Sequence, residues 1–366
     1  MMETDLTQPV LALGLMSGTS MDGIDAALLW TDGDKVVEPR GRLSVAYDTD
    51  LRAALRRTVA LAEMLPGVDT VERAMTLAHA GAVDTLLKQA EIAPEDVRVI
   101  GFHGQTILHR PEAGITWQIG DGALLAVASE IDVVSDFRAA DVAAGGEGAP
   151  LVPVYHAALA ADEARPVAIL NIGGVANVTW IGPAGELIAF DTGPGNAMVD
   201  DWCLQHTGEP LDADGRLAAS GAINATALAA LLDNPYFGRR PPKSLDRNAF
   251  SPSPVAALSP ADGAATLAAF TAHAVARAAA HFPAPARRWL VCGGGRHNPY
   301  MMGVLAATLK QPVAPVEAAA WDGDALEAQA FAYLAVRSLR GMALTFPATT
   351  GVSKPLTGGR LDRALP

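Results

Sequence analysis

Short apolar runs that end in glycine clusters dominate the pattern of this sequence, and alanine-rich stretches separate many of them. Runs of this kind occupy residues 97–102, 166–172 and 289–292. Short apolar segments bounded by glycine are typical of buried strands, whereas longer alanine-rich stretches favour helices. The alternation between the two predicts an α/β protein built on largely buried sheets.

The strand pattern occurs twice along the chain. VLALGLMSGTSMDGIDAALLW (10–30) is predicted to form a strand, a glycine-rich turn and a second strand. AILNIGGVANVTWIGPAGELIAFDTGPGN (168–196) begins in the same way, with NIGGVANV as the turn region, and adds a third strand. Two halves that each begin with a hairpin indicate a duplicated domain with a cleft between the copies.

Two helices have recognisable ends. One begins at a capping signal formed by Ser259, Pro260 and Asp262, after which apolar residues recur at helical spacing. These apolar residues are Leu267, Phe270, Ala274 and Ala278. A second helix is predicted from Asp322 to Gly341, because basic residues in its last turns complement the helix dipole.

The composition restricts the function classes and the compartment. The 366 residues carry 27 basic and 40 acidic side chains, a net charge of −13, which excludes nucleic-acid binding as the main role. Cys203 and Cys292 cannot supply a disulfide framework or a structural zinc site. The N-terminus lacks a signal pattern, and no apolar run reaches the ~18 residues of a membrane span. We therefore expect a cytoplasmic protein that binds neither nucleic acid nor membrane.

Several common site motifs are absent from the sequence. No GxGxxG and no GxSxG occurs, so a Rossmann dinucleotide site and a serine hydrolase are unsupported. The nearest approach to a phosphate-binding P-loop is GRRPPKS (238–244), which has Pro242 where the loop needs glycine.

A first polar cluster lies between two predicted strands. It comprises Gly18, Thr19, Ser20, Met21, Asp22, Gly23, Ile24 and Asp25. Glycines let backbone N–H groups point inward, and the two hydroxyls add donors, so this turn could hold terminal phosphates. Asp22 and Asp25 could hold Mg²⁺ through water, because magnesium prefers oxygen ligands and keeps part of its hydration shell. The alternative is an ordinary hairpin with Asp-Gly at its turn.

A second cluster, DTGPGN (191–196), follows the predicted strand LIAF. Asn196 could cap a helix that ends by Gly208, and an anion near that N-terminus would meet free N–H groups. Asp191, predicted at the carboxyl end of the strand, is a candidate general base, and Gly193 is a candidate nucleotide contact. The alternative for Asp191 is a turn-forming residue that uses its side chain locally.

A third cluster again combines a strand, glycines and a capped helix. Gly293, Gly294 and Gly295 would allow close approach by a flat group such as adenine, and Asn298 precedes a proline at the first helical position. We regard these four residues as candidate nucleotide contacts. The alternative is close packing of strand on helix.

Taken together, GLMSGTSMDGID, DTGPGN and VCGGGRHN resemble the anhydro-N-acetylmuramic acid kinase family in order and spacing. The resemblance extends from about residue 11 to about residue 359, and it is weakest in the interior of 209–285. Further matching segments are FHGQTILHRP (102–111), WQIGDGALLA (117–126), DFRAADVAAGGEGAPLVP (136–153) and DALEAQAFAYLA (324–335).

The resemblance implies the actin, hexokinase and Hsp70-type fold, with two ribonuclease-H-like α/β domains around an ATP cleft. We place the first domain at 1–137 and about 342–366, and the second at 138–341. The implied reaction converts 1,6-anhydro-N-acetylmuramic acid, ATP and water to N-acetylmuramic acid 6-phosphate and ADP, in the recycling of cell-wall sugars. A homodimer is also implied, and we expect ATP and Mg²⁺ as cofactors.

In this reaction O6 of the sugar is both the leaving group of ring opening and the acceptor of the γ-phosphate. We therefore expect one carboxylate base on the water side to suffice, in place of the usual acid and base pair. By position, the resemblance makes Asp191 that base. It also assigns the turn at 18–25 to the β and γ phosphates and the glycines at 293–295 to adenosine.

The DFR segment supplies candidate sugar contacts, Asp136 and Arg138. The guanidinium fork of Arg138 suits the lactyl carboxylate of a muramic sugar. Its alternative is a surface ion pair with Asp136 or Asp141, worth ~0–1 kcal/mol.

Three further residues are candidate sugar contacts. Glu327 lies early in the predicted 322–341 helix, on the stripe of Phe331 and Leu334, although a first-turn glutamate also complements the helix dipole. His103 follows a strand and is either a pocket residue or a structural histidine. Trp117 either stacks on the sugar or fills the core.

Two other function classes stay open at this stage. One is a kinase of the same fold that acts on another sugar or on an acetate-like acid, against which DFR and GGEGAPLVP argue. The other is a non-catalytic, nucleotide-driven module, which would need a partner groove that no segment demands.

Overall fold

The structure is a computed structural model that describes residues 8–18, 21–60, 67–246 and 249–364. The chain forms two compact units: unit 1 comprises Met1–Ala161 and Asp324–Pro366, and unit 2 comprises Asp162–Gly323. Our sequence-based boundaries, after residue 137 and near residue 342, differ from these. The difference at the C-terminal boundary arises because the helix at 326–339, which follows unit 2 in the chain, packs on the sheet of unit 1.

The described strands, in chain order, are β1 (Val10–Met16), β2 (Gly23–Thr31), β3 (Val37–Ala46), β4 (Val99–Phe102), β5 (Gln105–Arg110), β6 (Ile115–Ile119), β7 (Val133–Ser135), β8 (Val167–Ile172), β9 (Val175–Ile181), β10 (Leu187–Pro194), β11 (Arg288–Cys292), β12 (Val313–Pro315) and β13 (Arg360–Asp362). The apolar runs at 97–102, 166–172 and 289–292 therefore form strands, as predicted.

The described helices are α1 (Thr49–Ala60), α2 (Val68–Ala90), α3 (Gly122–Ser129), α4 (Ala139–Ala143), α5 (Pro153–Leu159), α6 (Ala197–Thr207), α7 (Arg216–Ala219), α8 (Ala225–Leu232), α9 (Pro260–Ala279), α10 (Pro299–Leu309), α11 (Leu326–Leu339) and α12 (Pro347–Thr350). None of the helices in the described ranges has the length and apolar character that crossing a membrane requires.

Unit 1 is built on a six-stranded sheet with the order β13-β7-β4-β1-β2-β3. Strands β1, β2 and β3 are antiparallel neighbours, whereas β4 runs parallel to β1 and β7 runs parallel to β4. Strands β5 and β6 form a separate antiparallel hairpin. Parallel pairs need crossover connections, and the helices in them, α1, α2 and α3, pack on one face of the sheet, whereas α11 packs on the other.

Unit 2 repeats this arrangement with the order β10-β9-β8-β11-β12. Strands β8, β9 and β10 are antiparallel neighbours, and β11 and β12 continue the sheet in parallel with β8. Each unit thus has three antiparallel strands followed by parallel ones. The predicted duplication and the two ribonuclease-H-like α/β folds are confirmed.

Helix α11 belongs to unit 1, although the sequence analysis placed residues 322–341 in the second domain. It lies on the backbone of the sheet at two glycines. A Cβ at Gly14 of β1 would overlap the carbonyl oxygen of Ala328, and one at Gly101 of β4 would overlap that of Phe331. The packing requires strands that are distant in sequence, which a linear boundary cannot anticipate.

Helix α9 lies at the centre of unit 2 and begins as predicted. The Ser259 hydroxyl accepts a hydrogen bond from the N–H of Asp262 at 3.1 Å, and Pro260 occupies the first turn. The ring of Trp202 packs directly on Gly263, so helices α6 and α9 approach closely. The apolar residues that predicted this helix are buried against the sheet.

Candidate functional site

The turn between β1 and β2 is the first predicted phosphate-binding element. The N–H of Met21 donates to the carbonyl of Gly18 at 3.1 Å, and Met21 adopts a φ of 54°, a left-handed conformation that is uncommon for a non-glycine residue. Thr19 and Ser20 lie outside the described residues. Gly23 and Ile24 begin β2, so the described part of the turn is compact and closed by backbone bonding.

A buried polar network lies beside this turn, and the sequence analysis missed it. Tyr47 donates to the Ser17 hydroxyl at 2.9 Å, and Ser17 donates to the side-chain oxygen of Gln105 at 2.7 Å. All three residues are buried, and burial raises the pKa of the Tyr47 phenol above its usual value. The chain of donors fixes Ser17, the residue before Gly18, in one orientation.

The two proposed magnesium residues of this turn face different surroundings. Asp22 is exposed and forms an ion pair with Arg52 of α1, on the face covered by α1 and α2. Asp25 lies on the same face of β2 as Ala27, which packs on α11, and its carboxylate accepts from the Ser44 hydroxyl at 2.6 Å. The two carboxylates therefore have different neighbours, α1 for Asp22 and the α11 side of β2 for Asp25. The prediction grouped them because they are close in sequence.

Asp25 retains the properties of a cation ligand. Burial and the negative charge of Asp324 raise the pKa of its carboxyl, while Ser44 and Arg42 oppose this effect. A carboxylate disfavoured by a like-charged neighbour is stabilised by a cation. The described residues contain no cluster of three or more histidine, cysteine or acidic ligands, so Asp25 does not belong to a larger group of such ligands.

His103 and Arg138 are brought into direct contact in unit 1. The Nε2 atom of His103 accepts from Arg138 Nη2 at 3.0 Å, while its Nδ1 atom donates to the carbonyl of Gly104 at 2.8 Å. Arg138 also donates to the carbonyl of Gly148 at 2.7 Å. Burial and the charge of Arg138 lower the pKa of His103 to about 3, so the ring is neutral and fixes the guanidinium.

The GGEG segment next to this pair is held from several sides. Asp141, which is 2% exposed, accepts from the N–H of Gly148 at 2.7 Å and from the Thr350 hydroxyl at 2.6 Å. The ring of His109 hydrogen bonds to the carbonyl of Glu147 at 2.9 Å. Asp141 therefore shapes this loop, and the contacts above place His103 and Gly148 beside Arg138.

The remaining unit 1 candidates occupy distinct places. Glu327 is half-buried in the first turn of α11, one turn before Phe331, whose ring lies 4.7 Å from that of His103. Glu327 thus lies on the helix stripe that approaches His103. Asp136 is exposed, with a φ of 55°, just after β7. Trp117 is half-buried on β6 and packs against the core that α2 and α3 cover.

Asp191 of unit 2 lies inside β10, not at its end as predicted. Asp191 pairs in regular register with Asn177 of β9, and the register shifts directly after it, between Asp191 and Gly193. Asp191 is 8% exposed, and its Oδ2 atom accepts from the N–H of Leu245 at 2.8 Å. The backbone donor gives the carboxylate a defined orientation.

Lys243 is a second buried charge close to Asp191, and the sequence analysis missed it. Its side chain donates to the carbonyl of Tyr236 at 3.1 Å. Burial and Arg239 lower the pKa of Lys243 to about 8, while Asp191 raises it. The only sequence signal was GRRPPKS, which was rejected as a phosphate-binding loop.

Asn196 does not cap α6 with its side chain, contrary to our prediction. The side-chain nitrogen donates to the carbonyl of Ile172 at 3.0 Å, and the backbone N–H donates to the carbonyl of Gly173 at 2.7 Å. Gly195 packs so closely on Gly173 that a Cβ would overlap its carbonyl oxygen. The ends of β8 and β10 are thus joined through glycine backbone, and α6 ends at Thr207, before Gly208, as predicted.

The glycines at 293–295 approach the same place in unit 2. A Cβ on Gly293 would overlap the side chain of Asn171, and Gly295 packs on Ile172. Gly294 is exposed and lies near Asn196. Asn298 caps α10 by accepting from the N–H of Met301 at 3.0 Å. Close packing therefore accounts for Gly293 and Gly295, while Gly294 presents open backbone.

The strand orders and the glycine-lined turns define the class of this chain, an α/β protein of the actin, hexokinase and Hsp70 type. The sequence pattern of the anhydro-N-acetylmuramic acid kinase family matches residues 10–362. The chain belongs to that family.

Individual proteins agree with this match over nearly the whole chain. The anhydro-N-acetylmuramic acid kinase of Rhizorhabdus wittichii is 56% identical over 361 residues, which cover 97% of this chain and 99% of that protein. The protein of the same name from Paramagnetospirillum magneticum is 58% identical over 357 residues, which cover 96% of this chain and 99% of that protein.

Among solved structures, the activator of the 2-hydroxyisocaproyl-CoA dehydratase from Clostridium difficile with bound ADPNP is 12% identical, with a TM-score of 0.47 over 90% of this chain and 96% of that chain.

Proposed function

We propose that this chain is an ATP-dependent phosphotransferase that opens 1,6-anhydro-N-acetylmuramic acid with water and phosphorylates O6. The products are N-acetylmuramic acid 6-phosphate and ADP, and the reaction returns cell-wall sugars to metabolism. The observation that carries the proposal is the family match over residues 10–362. The buried, oriented carboxylate of Asp191 supports it from the structural side.

Asp191 acts as the general base in unit 2. It removes a proton from the attacking water, whose oxygen bonds to the anomeric carbon while the bond from that carbon to O6 breaks. O6 then takes the γ-phosphoryl group, and ADP leaves. The backbone donor at Leu245 stabilises the ionised carboxylate before the reaction, which favours a base at neutral pH.

The turn between β1 and β2 binds the terminal phosphates of ATP in unit 1. Its candidate contacts are Gly18, Thr19, Ser20, Met21, Asp22, Gly23, Ile24 and Asp25. Asp25 holds the hydrated magnesium ion, because its carboxyl has a like-charged neighbour and fits a cation better than Asp22, which pairs with Arg52. Bound Mg²⁺ would offset the charge of the phosphate oxygens.

Unit 1 also supplies sugar contacts. Arg138 binds the lactyl carboxylate, and His103 keeps the guanidinium in place through the contact with Nε2. Glu327, on the stripe of α11 that approaches His103, accepts a hydrogen bond from a sugar hydroxyl. Asp136 and Trp117 remain proposed sugar contacts at the edge of this set.

Unit 2 contributes the nucleoside contacts. Gly294 exposes backbone on which adenosine can rest, beside Gly293 and Gly295. Gly193 lies in β10, two residues after Asp191. Asn298 acts on this set indirectly, because its side chain caps α10.

The cellular setting follows from the proposed reaction. ATP is available in the cytoplasm, and the side chains of the two cysteines, Cys203 and Cys292, are buried. We place the enzyme there as a homodimer that binds small molecules, with neither nucleic acid nor membrane as a partner.

A direct assay tests the proposal. The protein is incubated with ATP, Mg²⁺ and 1,6-anhydro-N-acetylmuramic acid, and the sugar is analysed by mass spectrometry. The expected product gains the mass of one water and one phosphoryl group. Parallel reactions with 1,6-anhydro-N-acetylglucosamine, which lacks the lactyl group, test the role of Arg138. Equal turnover of both sugars would refute that role, and turnover of neither would refute the proposed function.

A further inference from the structure

Residues 236–245 form a brace along β10 at Asp191. The N–H of Asp191 donates to the carbonyl of Lys243 at 3.0 Å, and the N–H of Leu245 donates to the Asp191 carboxylate at 2.8 Å. The Tyr236 hydroxyl donates to the carbonyl of Asp191. One short segment therefore bonds to the backbone N–H, the backbone carbonyl and the side chain of the same residue.

The side chain of Lys243 is the unusual part of this brace. Lys243 is 2% exposed, and its Nζ atom lies 4.3 Å from the centre of the Tyr236 ring and 5.8 Å from that of Phe190, the residue before Asp191. An ammonium group loses hydration when it is buried, and two ring faces with one carbonyl replace only part of it. An opposite charge nearby is needed to keep such a group protonated.

We propose that Lys243 is a positioning residue for Asp191, which holds the carboxylate ionised and ties its orientation to the brace. The consequence for catalysis rests on the proposed function, whereas the electrostatic coupling between the two residues does not. Opposite charges favour each other's ionised form, so removing the ammonium must make the Asp191 carboxyl harder to deprotonate.

Other charged groups lie near Lys243 and Asp191 and contribute to the local electrostatics. Arg239 lies on the brace itself and lowers the pKa of Lys243, whereas Asp191 raises it. His281 lies just beyond α9, and burial together with the positive charges of Lys243 and Arg240 lowers its pKa. A pH profile near neutrality must therefore be compared between variants rather than read from the wild type alone.

The test measures the two ionisations directly in the full chain. Protein labelled with ¹³C at aspartate side-chain carboxyls is titrated by NMR, and Asp191→Asn assigns the Asp191 signal. Lys243→Met should raise the pKa of Asp191 by about one unit or more, whereas Lys243→Arg should change it by less than about half a unit. The matched control, Arg240→Met, removes an exposed cation from the same segment that is not among the groups shifting the pKa of Lys243, and it should have little effect on Asp191.

Kinetics provide a readout that a purely structural role would not produce. In Lys243→Met the acid limb of the plot of kcat/KM against pH should shift to higher pH. The shift should equal the rise in the pKa of Asp191, and the rate should recover at higher pH. A loss that is equal at every pH would overturn the proposal, as would an unchanged Asp191 titration in a folded variant.

If the Lys243→Met variant does not fold, the reciprocal experiment still tests the proposal. In Asp191→Asn, labelled at lysine Cε, the pKa of Lys243 should fall below its wild-type value, since coupling acts equally in both directions. An unchanged Lys243 titration would overturn the proposal. If both titrations shift while the anhydro sugar is not turned over, the coupling is supported and the proposed function is the part that fails.

Discussion

Replacing Asp191 with asparagine distinguishes a role in proton transfer from a role in the local structure. Asparagine keeps the side-chain size, and its carbonyl oxygen can still accept from the N–H of Leu245, which lies 2.8 Å from the carboxylate. It cannot take a proton from water. We expect kcat to fall by about 10²- to 10⁴-fold, which corresponds to ~3–5 kcal/mol in the barrier.

The same variant should remain folded and should bind ATP normally. One charge-assisted hydrogen bond becomes neutral, and Lys243 loses a nearby negative charge, so the free energy of unfolding should fall by about 1–2 kcal/mol. The KM for ATP should change by less than about threefold, because the turn that we propose binds the phosphates lies in unit 1.

The assay combines quenched-flow mass spectrometry with ¹⁸O-labelled water. The label should appear on the anomeric carbon of the product and not in its phosphate, because water attacks the sugar. Asp233→Asn, at an exposed position after α8, serves as the matched control and should match the wild type. A kcat for Asp191→Asn within about threefold of the wild type, or label in the phosphate, would refute the assignment.

Further predictions concern stability, metal and protonation. Gly101→Ala should lower the free energy of unfolding by about 2–3 kcal/mol, because the new Cβ would overlap the Phe331 carbonyl. Gly81→Ala in α2, where a Cβ would meet open space, should raise the free energy of unfolding by about 0.5–1 kcal/mol. Urea denaturation measures both. Asp25→Asn should raise the Mg²⁺ concentration for half-maximal turnover by about tenfold or more, Asp22→Asn should raise it less, and excess EDTA should abolish turnover. A larger effect at Asp22 would contradict our choice of ligand. The pKa of His103, about 3, means that its ¹⁵N signals should show one neutral tautomer from about pH 5 to about pH 9, and titration near pH 6.5 would contradict its contact with Arg138.

The architecture followed well from local sequence patterns. Glycine-bounded apolar runs became strands, and the capping residues before α9 marked its start, because both signals act over a few residues. The double hairpin indicated the duplication before any pairing was known. The helix at 326–339 was also recognised, but its unit was not, since only long-range packing on Gly14 and Gly101 determines it.

The candidate site was harder to predict, for two physical reasons. Asp22 and Asp25 are near in sequence, yet Asp22 precedes β2 and pairs with Arg52, whereas Asp25 lies on the face of β2 that packs on α11. Lys243 and Asp191 are far apart in sequence and meet only through the fold. The same is true of Ser17, Tyr47 and Gln105, whose polar contacts carry no local pattern.

Helix α11 rests on the peptide backbone of β1 and β4, with no side chain in between at Gly14 and Gly101. Contacts between side chains can be retuned by exchanging one apolar residue for another, but a contact between two main chains has no adjustable spacer. The height of Glu327 above the sheet is therefore set by van der Waals contact between main-chain atoms. Substitutions of apolar side chains here cannot change the distance of α11 from the sheet at these two glycines. They can change only the residues that Glu327 contacts.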